Sequence, residues 1–353
     1  MRIALNFLQL YKNGSSQSKD FIVETLFLLI RQHPEHTFII ITNQKLPDTS
    51  YFLPNTEVVI IKNPPQNLLL KKLWGDVKMR RILKKAKADV LLVFENDSPV
   101  TTAVPKCIMV SGIKKIRPGN IKNAQSLVVL NKSVKQELIK KHKTPTEKVF
   151  VLYPYPGKIF KPVESESREN IKSEYSDGLE YFLYNSILEG RDFVKLLKSF
   201  SHFKKRQQSR FKLLLLTQSS PSFEKTLSNY KYRSDVTFIQ AKNRNDESML
   251  VASAYAVALP FDANEDMFAA LNAMQAGVPV ITAADSIVNE IADNASANAE
   301  PGTIKDIGDK MIRVYTDESY RSELIDRGKT IAAKFTPERS ADILWQSIMK
   351  ALP

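Results

Sequence analysis

The chain has 353 residues, of which 43% are hydrophobic and 25% charged, and it carries a formal net charge of +13. This length exceeds what one hydrophobic core usually serves, and the composition is that of an ordinary soluble globular protein, so we expect two domains. The single cysteine, Cys107, excludes a disulfide framework and favours a reducing, cytoplasmic compartment.

The positive charge is concentrated in the first half of the chain. Residues 1–165 contain 27 Lys and Arg against 12 Asp and Glu, whereas residues 166–353 contain 24 against 26. Such asymmetry suggests that the first half faces an anionic partner: a membrane surface, a nucleic acid or a phosphorylated substrate. The first residues lack the layout of a signal peptide, and residues 21–30, the longest apolar run, fall short of the roughly 20 residues that span a bilayer.

Short apolar segments alternate with helical patterns through the first half. The predicted helices are Ser18–Gln32, Leu68–Lys87 and Lys132–Lys143. The predicted strands are Met1–Asn6, Phe38–Thr42, Val58–Ile61, Asp89–Phe94, Lys106–Val110, Ser126–Leu130 and Val149–Tyr153. This alternation predicts a doubly wound parallel sheet.

A proline-bearing segment from Tyr153 to Pro162 and the charged stretch Glu164–Glu174 then indicate a linker between domains. The alternation resumes afterwards. The predicted elements are the strands Tyr181–Tyr184, Lys212–Thr217, Val236–Gln240, Val257–Leu259 and Val278–Thr282, and the helices Phe193–Lys205, Glu247–Ala254, Ile304–Thr316, Ser319–Phe335 and one after Pro337.

The segment Leu259–Thr282 organises the second half. It predicts a strand, a loop, a helix of small apolar residues, a turn at Gly277 and a second parallel strand. Its loop would lie at the carboxyl end of a strand and the amino end of a helix, where open α/β sheets bind anions. The alternative from periodicity alone is an ordinary buried crossover with a solvated acidic loop.

Five segments, in order, resemble the family-4 glycosyltransferases of the GT-B type, and the resemblance covers nearly the whole chain. The segments are Leu130–Lys140, Glu147–Pro162, Asn185–Phe200, Ala276–Thr282 and Asn289–Ala295. The resemblance implies an α/β fold of two Rossmann-like doubly wound domains that face each other across a cleft. We place an acceptor-side domain at residues 1–160 and a nucleotide-sugar donor domain at 161–353, whose last helix could pack back on the first domain.

Members of that family transfer a sugar from a nucleotide diphosphate to an acceptor with retention and without a metal. The resemblance thus implies a nucleotide sugar as co-substrate, no cofactor, and a glycan or a lipid-linked acceptor. Basic side chains and helix N-termini would neutralise the departing diphosphate.

The sequence departs from the family pattern at the expected site. Asn264 and Asn272 occupy the positions of two acidic residues, although a slip of one residue would give the first role to Glu265. Ser186 replaces an arginine that binds phosphate, whereas Arg191 keeps the charge of the expected lysine. Ser111 stands in a segment that usually ends in His-Asp, and Gly14 is all that remains of a glycine cluster.

These matches define the candidate residues. Arg191 and Asn264 are the catalytic candidates, and Gly14 and Ser111 are the acceptor-side candidates. The donor-binding candidates are Ser186, Gln240, Glu265, Asp266, Met267, Phe268 and Asn272. We find no spacing typical of a metal site. The departures leave two hypotheses, a transferase with a rebuilt donor site and a catalytically inactive relative that binds or stabilises a partner.

The basic segment Lys71–Lys87 is a second feature of interest. Its aromatic and basic residues suit an anionic membrane surface, which would make the protein peripheral at the inner membrane face. The alternative is a helix packed on its own sheet with its lysines in water. No recognised motif accompanies the charge, so nucleic acid is not an expected partner.

Overall fold

The computed structural model describes residues 1–8, 17–43, 53–61, 68–94, 102–110, 112, 116, 118–186, 188–261 and 266–353, with the backbone alone at 68–76. It divides the chain into two compact units. Met1–Pro154 and Pro337–Pro353 form the first unit, and Tyr155–Thr336 form the second. The sequence analysis places the division six residues later and groups the last segment with the second domain.

The first unit is built on a parallel sheet. In the described residues its strands are β1 (Arg2–Asn6), β2 (Thr37–Thr42), β3 (Thr56–Ile60), β4 (Val90–Phe94), β5 (Lys106–Val110), β6 (Ser126–Val129) and β7 (Val149–Val151). They lie in the order β3-β2-β1-β4-β5-β6-β7. The helices of the unit are α1 (Gln17–Gln32), α2 (Leu68–Ala86), α3 (Pro118–Asn123), α4 (Lys132–His142) and α13 (Pro337–Ala351).

Continuous apolar strands and amphipathic helices explain this arrangement. Every residue of β4 and β5 is buried, as expected for parallel strands covered on both faces. Met79 and Leu83 of α2, four residues apart, belong to the core on one face of the sheet. Cys107 is fully buried in β5, and burial raises its pKa to about 11, so the thiol acts as a core residue at neutral pH.

The last helix of the chain, α13, packs on α1 and on β5 and β6. The Oγ of Ser126 donates a hydrogen bond of 2.7 Å to the carbonyl of Ser347, and the Oγ of Ser340 donates one of 3.1 Å to the carbonyl of Tyr153. The chain therefore returns to the first unit after completing the second.

The second unit repeats the design of the first. Its strands are β8 (Tyr181–Tyr184), β9 (Lys212–Leu216), β10 (Val236–Ile239), β11 (Ala256–Leu259), β12 (Val280–Ala283) and β13 (Ser296–Ala299), parallel and in the order β10-β9-β8-β11-β12-β13. Its helices in the described residues are α5 (Ser165–Tyr175), α6 (Gly190–Gln207), α7 (Pro221–Ser228), α8 (Arg244–Ser253), α9 (Asp266–Gln275), α10 (Asn289–Ala292), α11 (Ile304–Thr316) and α12 (Glu318–Ala332). The α/β fold with two Rossmann-like units is confirmed.

The stretch Glu164–Glu174, interpreted as linker, is instead most of α5. The helix packs on α8, and the hydroxyl of Tyr175 donates a hydrogen bond of 2.8 Å to Asp246. Lys172 is 5% exposed and pairs with Glu169 at 2.9 Å. The linker prediction was wrong because the high charge of this segment hides a narrow apolar face, in which Ile171 joins the core.

The start of the second unit is tied to α9 by two amide side chains. The N–H of Gly157 donates a hydrogen bond of 2.9 Å to Oδ1 of Asn272. The Nε2 of Gln275 donates to the carbonyls of Gly157 and Phe160, at 2.9 and 2.8 Å. Three backbone groups of an irregular segment are thereby satisfied by one buried helix, as partly buried backbone requires.

We predict that Asn272→Ala lowers the free energy of unfolding by about 1–3 kcal/mol, because it leaves the Gly157 N–H without its acceptor. Chemical denaturation would measure the loss. Asn229→Ala is the control, since the amide of Asn229 is exposed and bonds only the Lys225 carbonyl within its own turn, at 3.2 Å. Equal losses in the two variants would contradict the role given to Asn272.

Candidate functional site

The strand order of the second unit has one switch point. From β8 the chain moves outward to β9 and β10, and it then crosses back to β11 and continues to β12 and β13 on the other side. Neighbouring strands β8 and β11 therefore lead into helices that leave the sheet in opposite directions. Open α/β sheets bind ligands at the carboxyl ends of such strand pairs. Two predicted donor residues, Ser186 and Asp266, follow these two strands.

Ser186 and Asp266 are joined by a hydrogen bond. The Ser186 Oγ donates to Oδ1 of Asp266, which is the first residue of α9 and is 1% exposed. A carboxylate is favoured at the amino end of a helix, where the helix dipole is positive. Burial raises the pKa of the neighbouring Tyr184 hydroxyl, and the charge of Asp266 raises it further. The loops after β8 and β11 are thus cross-linked by a side-chain contact.

The first turn of α6 presents basic side chains near this contact. Arg191 is exposed, and it forms no hydrogen bond or ion pair with another described residue. Lys195, one turn later, lies 3.3 Å from Asp192 and places its Nζ 5.7 Å from the ring centre of Phe261, which follows β11. Sequence reasoning missed Lys195, although its spacing of four residues from Arg191 puts both cations on one helix face.

The helix α9 lies inside the unit. Met267 and Phe268 are 2% and 5% exposed, and Asn272 is 2% exposed with its Oδ1 engaged by Gly157. Asn272 would therefore offer a ligand mainly its Nδ2 donor. The donor-binding roles of these three residues stay predictions.

Gln240 is placed apart from this group. It is exposed and directly follows β10, the strand at the edge of the sheet and two positions from β8. Four other candidates, Gly14, Ser111, Asn264 and Glu265, lie outside the described residues. The structure thus brings together Ser186, Asp266 and the first turns of α6 and α9.

One group of potential metal ligands escaped the sequence analysis. His33, Glu35 and His36 follow α1, and their ligand-type atoms all lie within 4.8 Å of one another. Both imidazoles stack with Trp345 of α13, the His33 ring at 3.7 Å between centroids. These residues belong to the first unit, whereas the switch point belongs to the second.

The switch-point geometry favours an anionic ligand beside α6. Backbone N–H groups at the amino end of α6 and the cations Arg191 and Lys195 supply positive potential there. The amino end of α9 differs, because the buried Asp266 carboxylate already occupies it. A diphosphate bound at this edge would gain more from α6 than from α9.

No described helix is long and apolar enough to cross a membrane. No curated protein matches the chain in sequence. Residues 166–331 match the family model described as glycosyl transferases group 1.

Solved structures share the fold over the whole chain. A glycosyltransferase from Rickettsia africae ESF-5 is 15% identical with a TM-score of 0.76, over 99% of this chain and 98% of that one. WaaG, a glycosyltransferase involved in lipopolysaccharide biosynthesis, is 16% identical with a TM-score of 0.71, over 97% and 99%. Anabaena HepE in complex with UDP and glucose is 12% identical with a TM-score of 0.71, over 99% of each chain.

The matched family model is consistent with the order of the strands and with the two Rossmann-like units. The second unit is therefore a group 1 glycosyltransferase domain, in a chain that has the GT-B fold.

Proposed function

We propose that the protein transfers a sugar from a nucleotide diphosphate donor to a glycan or a lipid-linked acceptor, with retention and without a metal. The observation that carries this proposal is the exposed Arg191 in the first turn of α6, which pairs with no other described residue and lies next to the switch point of the sheet. The HepE structure, which contains UDP and glucose, supports a nucleotide sugar as the donor class.

The chemistry of transfer explains why α6 is central. When the bond from the anomeric carbon to the diphosphate breaks, negative charge develops on the leaving oxygen. Arg191, Lys195 and the amino end of α6 are fixed groups that would stabilise this charge without a metal ion. Asn264 would contact the sugar, Ser186 the sugar or the phosphate, and Asn272 the ribose through its Nδ2.

Asp266 works against the same ligand. Its carboxylate is buried at the amino end of α9, and a buried charge interacts strongly with a neighbouring diphosphate. Losing one preorganised electrostatic group typically costs about 10²–10³ in rate, so we expect slow transfer. The Ser186–Asp266 contact also favours a second candidate function, in which the protein binds a nucleotide or a partner and does not transfer.

The basic first half of the chain supports an acceptor at an anionic membrane. On the described part of α2, Met79 and Leu83 are buried, whereas Arg81, Lys84 and Lys85 are exposed. The neighbour WaaG belongs to lipopolysaccharide biosynthesis, which suggests a lipid-linked acceptor. The protein would then be cytoplasmic and peripheral at the inner membrane face.

We predict that Arg191→Ala weakens UDP binding about tenfold or more, because it removes a charge-assisted contact to the diphosphate. Isothermal titration calorimetry would measure the binding. Arg206→Ala is the matched control, since Arg206 is an exposed arginine in the last turn of the same helix. Equal affinities for wild type, Arg191→Ala and Arg206→Ala would contradict the role of Arg191.

For the membrane, we predict that the protein sediments with vesicles containing phosphatidylserine at low salt and that the double variant Lys84→Glu/Lys85→Glu sediments less. Each basic residue near such a surface contributes about 1 kcal/mol, and salt screens this attraction. The control is the double variant Lys140→Glu/Lys350→Glu, which makes the same change of charge in the same unit. Membrane docking through α2 is excluded if this control loses as much binding as the α2 variant.

A further inference from the structure

A basic cavity of about 510 Å³ lies in the first unit, whereas the site described above belongs to the second. This volume falls within the range of about 300–1,000 Å³ that is typical of small-molecule sites. Four cationic side chains line it, Arg80, Lys106, Lys122 and Lys148, and no carboxylate of the described residues does. The geometry points to a binding site for a compound that carries at least two phosphate groups.

The fold explains why these cations converge. In the sheet of the first unit, β5, β6 and β7 are neighbours and parallel, so their amino ends lie at one edge. Lys106 is the first residue of β5, whereas Gln125 and Lys148 come directly before β6 and β7. Lys122 joins them from the last turn of α3. The cavity is therefore formed by the starts of three adjacent strands.

Two of the residues that line this cavity, Lys106 and Gln125, are held together by hydrogen bonds. The N–H of Lys106 donates a hydrogen bond of 2.8 Å to Oε1 of Gln125, and the N–H of Gln125 donates one of 3.0 Å to the carbonyl of Lys106. This reciprocal pair fixes the Gln125 amide with its oxygen engaged and leaves Nε2 as its donor group. The backbone that carries the cations is thus preorganised for a ligand.

Charge and burial favour a multiply charged anion. Lys106 is 2% exposed, and Lys122 and Lys148 form no ion pair with a described residue. Lys122 and Lys148 both line the cavity, so their like charges repel one another, and an anion bound between them would relieve this repulsion. Phosphate groups suit such a cluster, because ammonium and guanidinium groups donate several hydrogen bonds to phosphate oxygens.

This cavity is separate from the carboxyl edge of the same sheet. Val110, at the carboxyl end of β5, lies four residues along the strand from Lys106, roughly 13 Å away at about 3.3 Å per residue. The carboxyl edge is where the fold places its substrates. The inferred site therefore does not rest on the proposed transfer reaction.

Calorimetric titration of the full chain with inorganic pyrophosphate tests the inference. The Arg191→Ala variant serves as the background, so that binding at the donor site does not mask the cavity. We expect that adding Lys122→Glu and Lys148→Glu weakens binding about tenfold or more, whereas adding Lys140→Glu and Lys350→Glu changes it less than threefold. Both pairs reverse two cations of the first unit, and thermal melting would confirm that all variants fold.

Two results would overturn the inference: pyrophosphate binding that is unchanged in the cavity variant, or an equal loss in the control pair. A second arm identifies the source of the phosphate groups, with vesicles of phosphatidylcholine and cardiolipin, a lipid that carries two phosphate groups, in place of pyrophosphate. Vesicle binding that depends on Lys122 and Lys148 would assign the cavity to a lipid headgroup. Pyrophosphate binding without such vesicle binding would assign it to a free phosphorylated compound.

Discussion

The hydrogen bond from Ser186 to Asp266 joins the two loops that follow β8 and β11 at the switch point of the second sheet. Among the described strands of that sheet, β8 and β11 are the neighbours from which the chain departs in opposite directions. In open α/β folds the carboxyl ends of such a pair leave a crevice. The contact fixes how the amino ends of α6 and α9 approach that crevice. The acid of the pair also occupies the positive end of α9, so in the proposed function an anion would bind at α6.

This division of roles accounts for the pattern of substitutions at the site. A serine at the position of a phosphate-binding arginine removes a cation, but its hydroxyl satisfies the buried carboxylate of Asp266. In the proposed reaction, Arg191 and Lys195, on one face of α6, would supply the positive charge that the departing diphosphate requires. The two residues are coupled by this hydrogen bond, and replacing Ser186 alone by arginine would remove it.

Much of the fold could be predicted from the sequence, because buried parallel strands are continuous apolar runs and because apolar residues in the helices between them recur with the period of an α-helix. Elements of atypical composition could not be predicted in this way. The helix α5 is hidden by its charges, and the short strand β13 consists of small residues that carry no strand signal. The crossover from β11 through α9 to β12 was predicted correctly, since it follows from the order of elements, and the donor site assigned to it stays a prediction. The hydrogen bond between Ser186 and Asp266 could not be predicted from the sequence, because the two residues are 80 positions apart.

The cavity at the starts of β5, β6 and β7 was missed for the same reason, because only the sheet register brings its cations together.

The central claim is that this domain, with its altered residues, still acts on a nucleotide sugar. The most direct measurement is the release of UDP from UDP-glucose by the purified protein over long incubation, compared with the Arg191→Ala variant. We predict slow release that falls about tenfold or more in the variant, since Arg191 neutralises the leaving diphosphate. Tight binding of UDP-glucose with no release above the variant's level would contradict the claim and would identify the protein as one that binds without transfer.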